Sequence, residues 1–155
     1  MSLKGKVESE IEIRAPAEKF YNFFKGQSHQ APTATPTNIQ GIEVHEGDWE
    51  SHGSIKLWKY SVEGREETFK ERVELDEANK TVSLIGLEGD IFNYFKTWKP
   101  VFKATPKDDG SGSVANLTIE YEKLHDGVAD PKAYIEFMTS IAKDVDDHIM
   151  NPNNA

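Results

Sequence analysis

The amino-acid sequence predicts an α+β fold: a seven-stranded antiparallel sheet, one or two short helices after its first strand, and a long C-terminal helix covering one face. Three observations predict it. Apolar and polar residues alternate from Val7 to Arg14. Strand-like segments separated by short turns then follow one another from Asn38 to Lys123. After Gly127 the apolar spacing changes from two residues to three and four, the period of a helix.

In the first strand Val7, Ser9, Ile11 and Ile13 point one way and Glu8, Glu10, Glu12 and Arg14 the other. Pro16 opens a helix as its first-turn residue, Phe20, Phe23 and Phe24 give that helix an aromatic face, and Gly26 ends it. Gln27 to Thr37, with Pro32 and Pro36, reads as a loop or as one short second helix. Strands are expected at Asn38–Glu46, Ser54–Val62, Thr68–Asp76, Thr81–Leu87, Phe92–Thr105 and Ser113–Lys123, with Pro100 marking an edge or a bulge. The charge density of Glu66 to Leu75 would also suit a helix, but turns flank it closely and favour a strand. Asp130-Pro131 is a cap followed by a first-turn proline. Tyr134, Phe137, Met138, Ile141, Val145 and Ile149 then form one stripe of a helix of about five turns, with Asp144, Asp146 and Asp147 facing mostly outward. Residues 1–150 are expected to form one domain and 151–155 a flexible tail.

The chain has 155 residues, of which 37% are hydrophobic and 29% charged, enough to bury a core without staples. It has no cysteine, which removes disulfides and thiolate metal sites. A net charge of −9 repels phosphate backbones and anionic headgroups, so neither nucleic acid nor a stable membrane association is expected. The N-terminus has no apolar signal region, so the expectation is a cytoplasmic protein, and the sequons at Asn79 and Asn116 read as chance matches.

Eight phenylalanines, five tyrosines and three tryptophans can fill a core or wall a pocket for an apolar guest. A curved sheet closing on one helix leaves such a space unless bulky side chains occupy it. Candidate wall residues are Trp58, Tyr60, Phe69, Val73, Leu84, Trp98, Leu117 and Tyr121 from the strands, and Tyr134, Phe137, Met138 and Ile141 from the last helix. Glu71 shares a strand face with Phe69, Val73 and Leu75, and Lys56 shares one with Trp58, Tyr60 and Val62. An ionised group buried there needs a partner, so Lys56 and Glu71 would pair or hold the polar end of a ligand. Ile55 and Leu57 are apolar as well, so alternation leaves open which face is interior.

Several segments occur in an order that resembles the plant major latex proteins. They are Asn38-Ile39-Gln40-Gly41, His45-Glu46-Gly47-Asp48-Trp49, Gly53-Ser54-Ile55, Lys70-Glu71-Arg72, Leu87-Glu88-Gly89-Asp90 and Tyr121-Glu122-Lys123. The resemblance runs from Leu3 to Met150 and extends to the superfamily of the birch pollen major allergen and the intracellular pathogenesis-related proteins. It implies the helix-grip fold, in which the curved sheet grips the long helix around a large internal cavity. It also implies binding of sterols, fatty acids, flavonoids or hormone-like molecules, with roles in defence and development. Lys56 falls where the similar abscisic-acid receptors place a cavity lysine that holds the hormone carboxylate.

Some relatives in this superfamily form carbon–carbon bonds with a cavity lysine, tyrosine and carboxylates, for which Lys123, Tyr121 and Glu71 are the nearest candidates here. Such a lysine must be desolvated, and Lys123 has polar neighbours in Glu122 and His125. The glycine-bearing loop from Glu46 to Ser54 lacks a Lys-Ser/Thr ending and carries Glu46, Asp48 and Glu50, which oppose phosphate, so it reads as a hairpin at a cavity rim. His45, His52 and Asp48 form no recognised ligand spacing, and no metal or cofactor is expected.

Overall fold

The computed structural model describes residues 3–151. Seven strands run in the order β1-β7-β6-β5-β4-β3-β2, so β2 to β7 form a continuous meander and β1 returns to pair with β7. They are β1 (Lys4–Ile13), β2 (Ile39–Glu46), β3 (Ile55–Val62), β4 (Arg65–Asp76), β5 (Thr81–Gly89), β6 (Phe95–Pro106) and β7 (Ser113–Lys123), and all neighbouring pairs are antiparallel. The segment from Arg65 to Asp76 is a strand along its whole length, because Glu63-Gly64 turns the chain back on β3 with positive φ at both residues.

Between β1 and β2 lie α1 (Ala17–Gly26), a short 3-10 turn at Ser28–Gln30, and α2 (Ala31–Ala34). The short second helix is therefore present. Pro16 occupies the cap position of α1 rather than its first turn. Gly26 is the last residue of α1, and a Cβ there would stand 2.9 Å from Cγ of Glu50.

The last helix, α3 (Lys132–Met150), lays Ile135, Met138, Ile141, Ala142 and Val145 against the sheet. Its start differs from the expected cap. Pro131 holds the cap position, and the Asp130 carboxylate instead takes Lys123 at 2.8 Å and the Tyr121 hydroxyl at 3.3 Å. Asp146 also departs from expectation: it is buried and accepts the backbone N–H groups of Arg14 (3.1 Å) and Ala15 (2.9 Å). The expected tail falls, Asn151 excepted, outside the described residues.

Curvature comes from irregularities in the ladders. Register shifts leave Gln40 and His45 of β2, Leu87 of β5 and Lys96 of β6 with no residue directly opposite in those ladders. Phe92 and Asn93, expected to open β6, belong instead to a 3-10 turn at Asp90–Asn93. The Asp90 carboxylate fixes that turn by accepting the Thr68 backbone N–H at 2.7 Å. Pairing of β5 with β6 covers only Thr81–Ser83 against Val101–Lys103 and stops at Pro100, which has no N–H to donate. Past that point Gly86 lets β5 and β6 stay close, since a Cβ there would lie 2.7 Å from the Trp98 carbonyl oxygen.

Candidate ligand-binding cavity

Register and burial settle the face that alternation left open. On β3 and β4, Lys56 stands opposite Glu71, Trp58 opposite Phe69, and Tyr60 opposite Glu67, and all six are buried. The interior row of β4 is thus Glu67, Phe69, Glu71 and Val73, with carboxylates alternating with apolar residues. Leu57 lies half-buried on the other face.

Between this part of the sheet and α3 lies an apolar cavity of about 70 Å³. The β-strands contribute Trp58, Tyr60, Phe69, Leu84 and Trp98 to its wall, and α3 contributes Tyr134, Phe137, Met138 and Ile141. These nine were singled out by the sequence. Val73, Leu117 and Tyr121 are buried but do not border the space, and neither do Lys56 and Glu71. Phe24, Ala31, Ile39, Pro100, Phe102 and Ile119 complete the wall. Pro100 and Phe102 share strand parity with Trp98, and Ile119 with Leu117 and Tyr121, so a consistent reading of the alternation would have found them. Phe24 lies on the aromatic face of α1 and stacks on Phe102 at 4.1 Å between ring centroids. Ile39 stands opposite Tyr60 and so shares its interior face, whereas Ala31 reaches the wall through the docking of α2, for which the local sequence has no signal.

The cavity is smaller than the resemblance implies. Drug-sized ligands occupy roughly 300–1,000 Å³, and here the chain's own aromatic rings take up much of the interior. Tyr60 and Phe137 lie 5.3 Å apart, as do Trp98 and Tyr134. A large guest must move some of these rings.

Two polar groupings flank the apolar centre. At one, the Tyr134 hydroxyl donates to Glu67 at 2.9 Å, and Arg65 Nε stands 3.6 Å from the same carboxylate. Burial, and then Glu67, push the Tyr134 hydroxyl up to about 12 and raise Tyr60 as well. Glu67 was not singled out by the sequence, although it has the parity of Phe69 and Glu71. At the other grouping, Lys56 Nζ donates to Ser28 Oγ (3.1 Å) and the Trp49 carbonyl (3.0 Å), and lies 5.4 Å from the Trp49 ring centroid. Burial lowers the pKa of this ammonium, with Glu71 and Asp48 acting against it.

Glu71 is fully buried. The Trp58 indole N–H donates to its Oε1, while Oε2 has no hydrogen-bond partner. Burial pushes its carboxyl up to about 8, against the opposing pull of Lys56 and Trp58. Among the described residues no ion pair joins Lys56 to Glu71, because the ammonium turns to Ser28 and Trp49.

The loop from Gly47 to Ser54 is self-braced. Asp48 accepts the backbone N–H groups of Glu50 and Ser51 and the Ser51 hydroxyl, which hold its pKa below the ordinary value. The same loop carries Trp49 over the Lys56 ammonium. His52 accepts the Leu75 backbone N–H at 3.0 Å. No group of three His, Asp or Glu side chains among the described residues is placed to hold a metal ion. The enzyme candidates are not drawn together: Lys123 and Tyr121 meet at Asp130, whereas Glu71 meets Trp58.

Comparison with known proteins places this geometry. Residues 2–152 match the family model described as the pathogenesis-related protein Bet v 1 family. The chain belongs to that family. Within it, the chain is 42% identical over 151 residues to MLP-like protein 31 of Arabidopsis thaliana, covering 97% of this chain and 88% of that one. The crystal structure of ginseng major latex-like protein 151 from Panax ginseng superposes with a TM-score of 0.90 at 32% identity, covering 96% and 99% of the two chains. These likenesses put the chain in the major latex protein branch of the Bet v 1 family. Norcoclaurine synthase from Thalictrum flavum shares the fold, with a TM-score of 0.78 over 96% of this chain and 88% of that one, but only 17% identity. That likeness shows the fold alone.

Proposed function

We propose that this major latex protein binds and carries small apolar or amphipathic molecules, such as fatty acids, sterols, flavonoids or hormone-like compounds, and is not an enzyme. The observation that carries this reading is the aromatic-walled cavity between sheet and α3, with polar groupings beside it at Lys56/Glu71 and at Glu67/Tyr134. Apolar walls take the body of such a guest, and a few polar atoms orient it. The protein would act in the cytoplasm as one domain, in defence or stress responses, a role that agrees with the pathogenesis-related name of the family. The test is thermal unfolding with a panel of fatty acids, sterols and plant hormones. A ligand present at a hundred times its Kd adds about 2.7 kcal/mol of stability and raises Tm accordingly. Lys56→Ala should weaken the ligands that raise it. A panel that leaves Tm unmoved ends the carrier reading.

The second reading, carbon–carbon bond formation with Lys123 as base, is disfavoured by the Lys123–Asp130 ion pair at 2.8 Å.

A further inference from the structure

We propose that Glu71 is a neutral hydrogen-bond donor, and that its Oε2–H recognises an acceptor oxygen, a ketone or ester carbonyl, on the guest. The proposal rests on the carrier reading and specifies the polar end that the cavity selects. Glu71 does not itself border the cavity, whereas Trp58, Phe69 and Leu84, its neighbours on β4 and the adjoining strands, all do, so a guest reaches Oε2 by displacing the Phe69 or Leu84 side chain. Trp58 donates to Oε1, so Oε1 is an acceptor and is the carbonyl oxygen of a neutral acid. Oε2 is then the hydroxyl, and it is fully buried with nothing to donate to.

The charged groups around it favour this state. From β3 it faces Lys56, whose ammonium is held by Ser28 and Trp49, and Asp48 of the preceding loop acts on Lys56 rather than on Glu71. From β5 it faces Gly86, which brings no charge. An ionised carboxylate here would have one N–H donor and no paired cation, an arrangement far more costly than a neutral acid. A buried hydroxyl without an acceptor costs less, yet gains when a guest supplies one. Under this assignment the site departs from lysine-held carboxylate recognition, since the free donor belongs to the acid.

A 6-acyl-2-dimethylaminonaphthalene dye and its analogue with methylene in place of the carbonyl form a matched pair. The dye's emission moves to the red when its carbonyl accepts a hydrogen bond. At pH 7 the wild-type protein should bind the ketone about fivefold more tightly than the analogue, with red-shifted emission. That preference should collapse by pH 9.5, persist unchanged with pH in Glu71→Gln, which keeps an N–H donor, and vanish in Glu71→Leu. Equal binding of both dyes by the wild type, or a preference that survives either pH 9.5 or Glu71→Leu, overturns the proposal and leaves the carrier reading standing. Failure of both dyes to bind the wild-type protein overturns the two together.

Discussion

Glu71 in the folded chain releases its proton near 8, against an ordinary value of 4.5. Between those two values the unfolded chain binds fewer protons than the native one, so this residue lowers stability as pH climbs through the window, and the loss levels off above it. Glu71→Gln removes the titration and keeps the shape. Urea unfolding at pH 5 and at pH 8.5 should show the wild type losing a few kcal/mol more than the variant across the interval, and equal losses would refute the assignment. The sequence disclosed part of this: the parity of Glu71 with Phe69 and Val73 placed it among apolar neighbours. It could not disclose the choice made by Lys56, because Ser28 and Trp49 reach that ammonium only when the turn after α1 and the β2–β3 loop fold over it.

At the scale of elements, regular patterns were legible and tertiary contacts were not. The alternation in β1 and the change of period at α3 follow from side-chain geometry alone, and both elements formed, β1 starting at Lys4 rather than Val7 and α3 at Lys132 rather than at Pro131. The start of β6 was misplaced because aromatic content marks burial as readily as it marks a strand, and the Asp90–Thr68 bond turns Phe92 into a 3-10 segment. Asp146 was misread because on the helix it neighbours Asp144 and Asp147, while the groups it serves lie 131 and 132 residues earlier. Its carboxylate ties the end of β1 to α3. Asp146→Ala should lower stability by about 2–4 kcal/mol, because two main-chain donors lose their acceptor. Denaturant titration checks this, and a change within about 0.5 kcal/mol would show that water replaces the carboxylate.

For the whole molecule, an empty space of about 70 Å³ lowers stability by about 2 kcal/mol, at some 24 cal/mol for each Å³ left vacant. Packing that would favour a rigid core is given up between the sheet and α3. Ala31 lies on the wall and is buried, so Ala31→Val adds methyl groups into the void. It should raise stability by about 1 kcal/mol and, as Tm shifts by roughly 2–4 °C per kcal/mol in domains of this size, move Tm up by a few degrees. Guest affinity should fall in the same variant. Calorimetry with dye displacement measures both, and a gain in affinity would show that the void is not where the guest resides. Gly86 sets a tolerance at the back of this space. Any larger residue there meets Phe69, Phe92 and the Trp98 main chain within 3 Å, so β5 and β6 would have to part or the Phe69 ring, which lines the cavity, would have to shift. The setting of a wall ring is therefore governed by a residue with no side chain, and Gly86→Ala should reorder the affinities of guests of different shape, measured by dye displacement, without touching any guest.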